Sequence, residues 1–436
     1  MFQYYSSATT LLINSIFLFH ITIAMLLLSN SGGFKSIYSS KWVMYYFLSI
    51  CLLFLFFYIY KFVISLVFFD TLSFFTVPNK CFTTSYFSDT IICLSFITSF
   101  ISWIYLSERF MYKTHFFIFY FFIFIVCTIN MVTTSNLLVM FVFFEFIFLP
   151  SLFFVYQFAY SKKVDKTISY LLKWTMSGSL LVLIALIYIY SLYSTLDVHK
   201  LSLITFSDYE NFFLFIFIFI GFGIKLPIWP FYYWLTKVHV EAPAGFSIFL
   251  SGFLVKTAFF CLAFFTQLLL TKWSLILSIT ILLWGCIDAS IRMWTCTDIK
   301  KLIAFATIQE MNLIVLFLFI SGVNNYSILS IFLLVHGVLS SLFFFLVDQV
   351  QKTFGTRNIL SISGSIYYLP TLSTLVWGAL LVFRGFPFFV KFFIEWEILS
   401  LFITNYTIFG AIVFIIISVF GVLGFSRIWF SVMYGQ

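Results

Sequence analysis

Charge is what this sequence has least of: Lys, Arg, Asp and Glu together make up 9% of 436 residues, against 63% hydrophobic. A soluble fold would have far too little polar surface to clothe its exterior, so a membrane is the only solvent that fits. Strict apolar–polar alternation is missing too. Stretches such as 212–220 (FFLFIFIFI) and 411–417 (AIVFIII) are apolar at every position, which excludes a β-barrel. The seven cysteines (51, 81, 93, 127, 261, 286 and 296) form no C-x-x-C pair and no His-rich spacing. They support neither an iron–sulfur cluster nor a zinc site and read as packing residues. The net charge of +8 is not gathered into a soluble basic patch, so no nucleic-acid partner is implied. The first apolar run, near 8–29, lacks a basic n-region and a small-residue cleavage signature and reads as a retained helix. Alanine is scarce while Phe reaches 67 residues, a bias that points to a T-rich, organelle-type genome.

What is present is a series of apolar runs, each long enough to cross a bilayer core of roughly 30 Å as a helix. They fall near 8–29, 43–68, 88–106, 114–133, 135–159, 167–194, 210–236, 243–268, 272–294, 299–321, 325–349, 370–403 and 406–432, thirteen in all. The expected fold is an all-α polytopic membrane bundle. Basic residues test the count independently. The side reached after odd-numbered runs holds Lys35, Lys41, Arg109, Lys113, Lys162, Lys163, Lys166, Lys237, Arg292, Lys300, Lys301, Lys352, Arg357 and Arg427, whereas the other holds Lys80, Lys200 and Lys272. By the positive-inside rule the N-terminus faces outward and the C-terminus the matrix or cytoplasm. The polar stretches at 69–88, 195–209 and 350–369 are short enough to be loops, so no linker divides the chain.

Six basic residues fall inside runs: Lys61, Lys173, Lys225, Lys256, Arg384 and Lys391. A charge at mid-membrane costs several kcal/mol, so each must snorkel, pair or line a wet cavity. Lys61 and Lys173 lie close to run ends, where snorkelling suffices. Lys225 and Lys256 sit near the middle of theirs. Glu145, in FVFFEFIFLP, has no basic neighbour on its own helix and needs a partner from another. A carboxylate beside a desolvated lysine is a proton switch, because burial disfavours the ammonium and a nearby anion restores it. The magnitudes are suitable, since one pKa unit is about 1.4 kcal/mol and one charge crossing 100 mV costs about 2.3 kcal/mol.

Lys225 stands in GFGIKLPIWP, and a second interruption, Arg384-Gly385-Phe386-Pro387, precedes Lys391, Glu395 and Glu397. Gly221 and Gly223 before Lys225 are expected to weaken its helix, and proline removes a backbone donor. Freed backbone groups at membrane depth are tolerated only around a buried or hydrated cavity. Interrupted helices at matching places in two halves point to a transporter site in an internal repeat. Lys391 and Glu395 are one turn apart and can pair, while Glu397 points elsewhere. His336 and Glu310 occupy mid-helix positions suited to a relay. His239 equally well serves a structural hydrogen bond, and Asp288 and Asp348, near helix ends, suit water contact.

Several stretches resemble the antiporter-like, proton-translocating subunits of NADH:ubiquinone oxidoreductase, respiratory complex I, and in particular their chain 4 branch. WLTKVHVEAPAGFSIFLSGFLVK (234–256) is similar to W-L-P-x-A-H-x-E-A-P-x-x-G-S…L-L-K, and CTDIKKLIAFATIQEMNLIV (296–315) to T-D-L-K-x-L-I-A-Y-S-S-I-x-H-M. LVHGVLSSLFFF (334–345) resembles A-H-G-x-x-S-S-x-L-F, and GFPFFVKFFIEWEIL (385–399) resembles L-P-x-x-x-N-F-x-G-E. The resemblance implies two inverted repeats of five helices with discontinuous seventh and twelfth helices. It divides the chain into 1–112, 113–268 and 269–436: three N-terminal helices, a first repeat and a second.

It also implies roles. Glu145 and Lys225 would form the pair of the fifth and seventh helices, Lys256 and His336 would belong to a central hydrophilic axis, and Glu395 would serve the outward half-channel. The chain itself would hold no redox centre and no metal: NADH, FMN, iron–sulfur clusters and ubiquinone would be bound by other subunits, whose electron transfer drives proton translocation here. The partners would be other membrane-arm subunits, especially neighbouring antiporter-like chains, and lipids such as cardiolipin, in the mitochondrial inner membrane. An Mrp-type cation/proton antiporter subunit is the alternative, since it shares the buried Glu and Lys stations.

The departures are as specific as the matches. Glu310 replaces the family's His, Lys391 stands where the pattern has Asn, Thr236 takes the place of a proline, and Phe246 that of a Gly, with Gly245 one place early. The family has fourteen helices, so the last, with its contacts to a neighbour, is expected to be absent.

Overall fold

The computed structural model describes residues 86–109, 114–158, 164–269, 271–322, 326–405 and 408–435. The first two expected runs, Lys61, Cys51 and Cys81 lie outside them. Among the described residues the structure is helical throughout. The elements are α1 (Tyr86–Arg109), α2 (Thr114–Thr133), α3 (Leu137–Phe158), α4 (Val164–Tyr193), α5 (Asp208–Lys225) and α6 (Tyr233–Glu241). They continue with α7 (Ala244–Leu269), α8 (Lys272–Thr295), α9 (Ile299–Ser321), α10 (Tyr326–Phe354), α11 (Pro370–Phe383), α12 (Val390–Asn405) and α13 (Ile408–Tyr434). Each corresponds to an expected run, except that 210–236 is split into α5 and α6 and 370–403 into α11 and α12. Among the described residues, seven helices are long and apolar enough to cross a membrane.

Hydrophobic residues surround these helices on every side, so burial, not amphipathicity, distinguishes inner from outer ones. In α7 and α9 every residue of the most apolar stretch is buried, whereas α4, α8 and α13 bury well under half of theirs. The outer helices expose Leu180, Ile187, Ile276, Trp284, Ile291 and Ile416 to lipid or a neighbouring chain. Helix α9 is clasped by α8, α10, α6, α12 and α13, and α7 by α10, α1 and α5. The two enclosed helices carry Lys256 and Glu310.

Two short backbone bridges tie helix starts to the chain that returns two helices later. Asn136, before α3, bridges Asp197, and Asp298, before α9, bridges Asn358. Leu137 and Val198 donate to the carbonyls of Leu196 and Ser135, just as Ile299 and Ile359 donate to those of Arg357 and Thr297. In each case the side chain of the bridging residue caps the following turn: Asn136 and Asp197 accept from Leu138 and His199, and Asp298 and Asn358 from Lys300 and Leu360. Asn and Asp are the residues that do this best. The same connection thus occurs twice, five runs apart, with the Asn and Asp exchanged.

Candidate functional site

Lys225 is the last residue of α5 and is buried. Its ammonium lies 2.5 Å from Oε1 of Glu145 on α3, over the rings of Phe144 and Phe148 at 4.1 and 4.6 Å. The Ser179 hydroxyl on α4 donates to the same carboxylate oxygen at 2.8 Å. These three helices come together because α4 and α5 touch backbone to backbone. A Cβ on Gly178 would stand 2.6 Å from the Gly221 carbonyl, and one on Gly221 would stand 2.6 Å from Val182. Gly221 thus also serves the close approach of α4; α5 runs through it, and the expected break follows at Leu226. There the freed Ile224 carbonyl accepts from the indole of Trp234 at 2.7 Å.

Lys256 is buried in the first turn after a π-helical segment of α7, Leu250–Leu254. A π turn displaces carbonyls from their usual partners, and the Lys256 ammonium donates to one of them, Ser251 O. It forms no ion pair among the described residues, but lies within electrostatic reach of Glu310. His336, on α10, is within reach of Lys256 and Lys391. His239, near the end of α6, stacks on Phe344 with ring centroids 4.6 Å apart, within reach of Lys256 and Lys300. The ring nitrogens of both histidines are buried and, among the described residues, have no hydrogen-bond partner. Polar atoms in that condition call for water partners.

The second cluster lies at the break between α11 and α12. The Lys391 ammonium is 2.5 Å from Oε1 of Glu310 on α9, 2.6 Å from the Phe383 carbonyl at the end of α11 and 3.6 Å from Oε1 of Glu395. It also lies 4.1 Å from the Phe383 ring centroid. The pairing of Lys391 with Glu395 is legible in the sequence as an i,i+4 contact; its closer partner Glu310 is not. A signal exists nonetheless. Glu145 and Lys225 are 80 residues apart and Glu310 and Lys391 are 81. Glu310 is shut off from the surface of the chain: its side chain is 5% exposed, against 19% for Glu395 and 26% for Glu145. Residues 310 and 391, two departures from the family motifs, therefore touch each other.

Other charged residues take structural partners. Asp288 pairs with Arg292 at 3.0 Å and accepts from the Tyr232 hydroxyl, and the buried Asp348 pairs with Lys352 at 3.2 Å, so neither rests on water alone. Lys173 is exposed, consistent with snorkelling. Lys300 and Arg357 donate to the Ala242 and Val240 carbonyls at the end of α6 at 2.5 and 2.8 Å. Such cations favour a helix C-terminus. Cys93 is buried, and Cys127, Cys261 and Cys286 are buried free thiols.

A protein family described as NADH:quinone oxidoreductase/Mrp antiporter, TM, matches residues 134–421, which include every candidate residue named above. The chain is 38% identical over 317 residues to NADH-ubiquinone oxidoreductase chain 4 of Paramecium tetraurelia, a match covering 72% of this chain and 66% of that protein. It is 30% identical over 323 residues to the protein of the same name from Acanthamoeba castellanii, covering 71% and 65%. To NADH-quinone oxidoreductase subunit M of Rickettsia bellii it is 30% identical over 266 residues, covering 58% and 52%. The matches thus span slightly less than two thirds of the length of these curated relatives, or about half. Among solved structures, a chain of the membrane-bound sulfane sulfur reductase, an archaeal respiratory membrane complex, superposes with a TM-score of 0.79 at 17% identity, covering 98% of this chain and 88% of that one. A chain of the Mrp complex from Dietzia sp. DQ12-45-1b does so at 0.77 and 15%, covering 98% and 81%. These two likenesses concern the fold.

Proposed function

This chain belongs to the NADH:quinone oxidoreductase/Mrp antiporter membrane family, and we propose that it is a membrane-arm subunit of respiratory complex I that translocates protons. NADH:ubiquinone electron transfer in other subunits drives it. The observation that carries this reading is a row of titratable side chains inside the bundle: Glu145–Lys225, then Lys256 and His336, then Glu310–Lys391–Glu395. Two of its members ride on helices wholly enclosed by others, and both ion-paired lysines stand beside helix breaks. Buried charges so costly are retained where they act. The carboxylate of Glu145 loads Lys225 by approaching it and unloads it by withdrawing. Lys256 and His336 pass the proton along the axis through bridging water, and Glu395 releases it outward.

On this reading the chain is part of a proton-translocating NADH:ubiquinone reductase and carries no redox centre of its own. NADH, FMN, iron–sulfur clusters and ubiquinone belong to other subunits. It is a multi-pass protein of the mitochondrial inner membrane, N-terminus to the intermembrane space and C-terminus to the matrix, in contact with neighbouring antiporter-like chains and with lipids such as cardiolipin. Residues 113–268 and 269–436 are its two inverted repeats, preceded by 1–112. The repeated bridges support that division. Five membrane crossings lie between Asn136 and Asp298, an odd number, so the two bridges fall on opposite faces, and Lys300, Lys301 and Arg357 gather around the matrix one. The Mrp-type antiporter reading shares the family description, which names both classes, while the relatives described above at 30% identity or more carry complex I names.

Replacing Lys225 or Glu145 by Ala should abolish proton pumping coupled to quinone reduction and leave NADH:hexacyanoferrate reduction intact. An unchanged proton-to-electron ratio in both variants would remove the pair from the mechanism.

A further inference from the structure

Lys391 is a single cation facing two carboxylates. A lysine ammonium has three donors; here two meet Glu310 and the Phe383 carbonyl, and Glu395 stands at ion-pair distance, 3.6 Å. The other titratable groups within reach are Lys256, His336 and Cys286. Lys256 already donates to the Ser251 carbonyl and stands outside ion-pair distance of either carboxylate. With both glutamates ionised the cluster would hold one uncompensated negative charge in a sealed interior. Two carboxylates sharing such a site do not both ionise without large cost, and their titration belongs to the pair. The two acids also differ in access. Glu310 is sealed and lies on the Lys256 side, whereas Glu395 is partly exposed. The Glu395 carboxylate rests on the helix break, where a Cβ on Gly385 would come within 2.7 Å of its Oε2.

We propose that Glu310, Lys391 and Glu395 form a proton-holding triad, in which one proton beyond the lysine's own is shared between the two carboxylates while Lys391 changes partner between them. This deepens the pump reading and rests on it for direction. At rest Glu395 is protonated, and Lys391, as ammonium, pairs with ionised Glu310. Loss of the Glu395 proton to the outer side leaves a carboxylate that draws Lys391 toward it. Glu310, released, takes a proton from the Lys256 side, Lys256 passing from ammonium to amine or relaying through water. Lys391 then gives one of its protons to Glu395 and receives the one on Glu310, so it is an ammonium again and the resting state returns. One proton has crossed the triad and no net charge remains. Two of the substitutions that set this chain apart from the family motifs, Glu310 and Lys391, are thus halves of one device.

The test is the carboxylic-acid C=O band in infrared spectra of the purified respiratory complex, compared between wild type and variants that assemble on native gels. Glu310→Gln and Glu395→Gln should each remove one protonated carboxyl per chain, because the remaining carboxylate and Lys391 are a balanced pair. Glu145→Gln should remove none. Glu310→Asp keeps the charge and should shift the band without removing it, which carries the test should Glu310→Gln fail to assemble. A band unchanged in the Gln variants, or unmoved in Glu310→Asp, overturns the proposal. If that happens while Lys225→Ala still abolishes pumping, the shared proton alone is wrong. If the band behaves as expected while Lys225→Ala pumps normally, the pump reading fails and the triad stands.

Discussion

Lys225 and Lys391 each sit beside a break in a helix, each 2.5 Å from a glutamate 80 or 81 residues earlier and each 4.1 Å from a phenylalanine ring. Around those shared features the two regions differ in charge and enclosure. The first has one carboxylate per lysine, supported by the Ser179 hydroxyl and reaching the surface of the chain. The second has two carboxylates and a backbone carbonyl, all within the bundle but for one edge of Glu395. One geometry therefore serves two ends. A balanced pair with an outward-facing carboxylate can be opened by something beside the chain, such as a neighbouring subunit. An unbalanced triad holds a proton whatever its neighbours do.

The comparison breaks most sharply at residue 391. Lys391→Asn leaves Glu310 and Glu395 without their cation, and removing one partner of a buried ion pair costs about 3–5 kcal/mol. We expect little assembled complex to accumulate. Adding Glu310→His, so that both positions carry the family residues, should restore much of it, with a coupling of about 2 kcal/mol in a double-mutant cycle of thermal stability. Additive losses would mean that the two departures are unrelated.

Gly385→Ala has a smaller expected effect. Its φ of +61° costs a side chain about 1–2 kcal/mol, and the new Cβ must displace the Glu395 carboxylate. Gly322, with the same φ and no neighbour within 4 Å among the described residues, supplies the control. Both Ala variants should lose stability, but only Gly385→Ala should slow pumping; equal pumping in the two would detach Gly385 from the triad. Ser179→Ala should do least. It removes one hydrogen bond to a half-buried carboxylate, worth about 1 kcal/mol, so pumping should fall by less than about tenfold where Glu145→Ala abolishes it. A loss as complete as that of Glu145→Ala would show that the hydroxyl, not the ion pair alone, defines the first station.

Much of this is legible in the sequence because charge is so rare here. Against apolar runs, Glu145, Lys225, Lys256, Glu310, Lys391 and Glu395 stand out singly, and the Gly and Pro residues near Lys225 and Lys391 mark both breaks. What stays hidden is what a local window cannot contain. The Lys391–Glu395 contact is one helical turn and is visible, while the shorter Lys391–Glu310 contact joins α9 to α12 and depends on how those helices pack. Gly221 hides a second role for the same reason: it lets α4 approach closely, and nothing within a few residues of it announces that. Asp288 and Asp348 look suited to water because they lie near helix ends, whereas the folded chain holds each acid against a basic residue one turn on, Arg292 and Lys352.

The enclosure of α7 and α9 has a consequence for how surroundings can influence the machine. Both helices are jacketed by others along their whole apolar length, so acyl chains never touch the residues that carry Lys256 and Glu310. Thickness, fluidity and headgroup charge act first on the jacket, on α4, α8 and α13, and reach the enclosed helices only as mechanical strain. Insulation of this kind lets the bilayer's composition vary while the buried charges keep their surroundings.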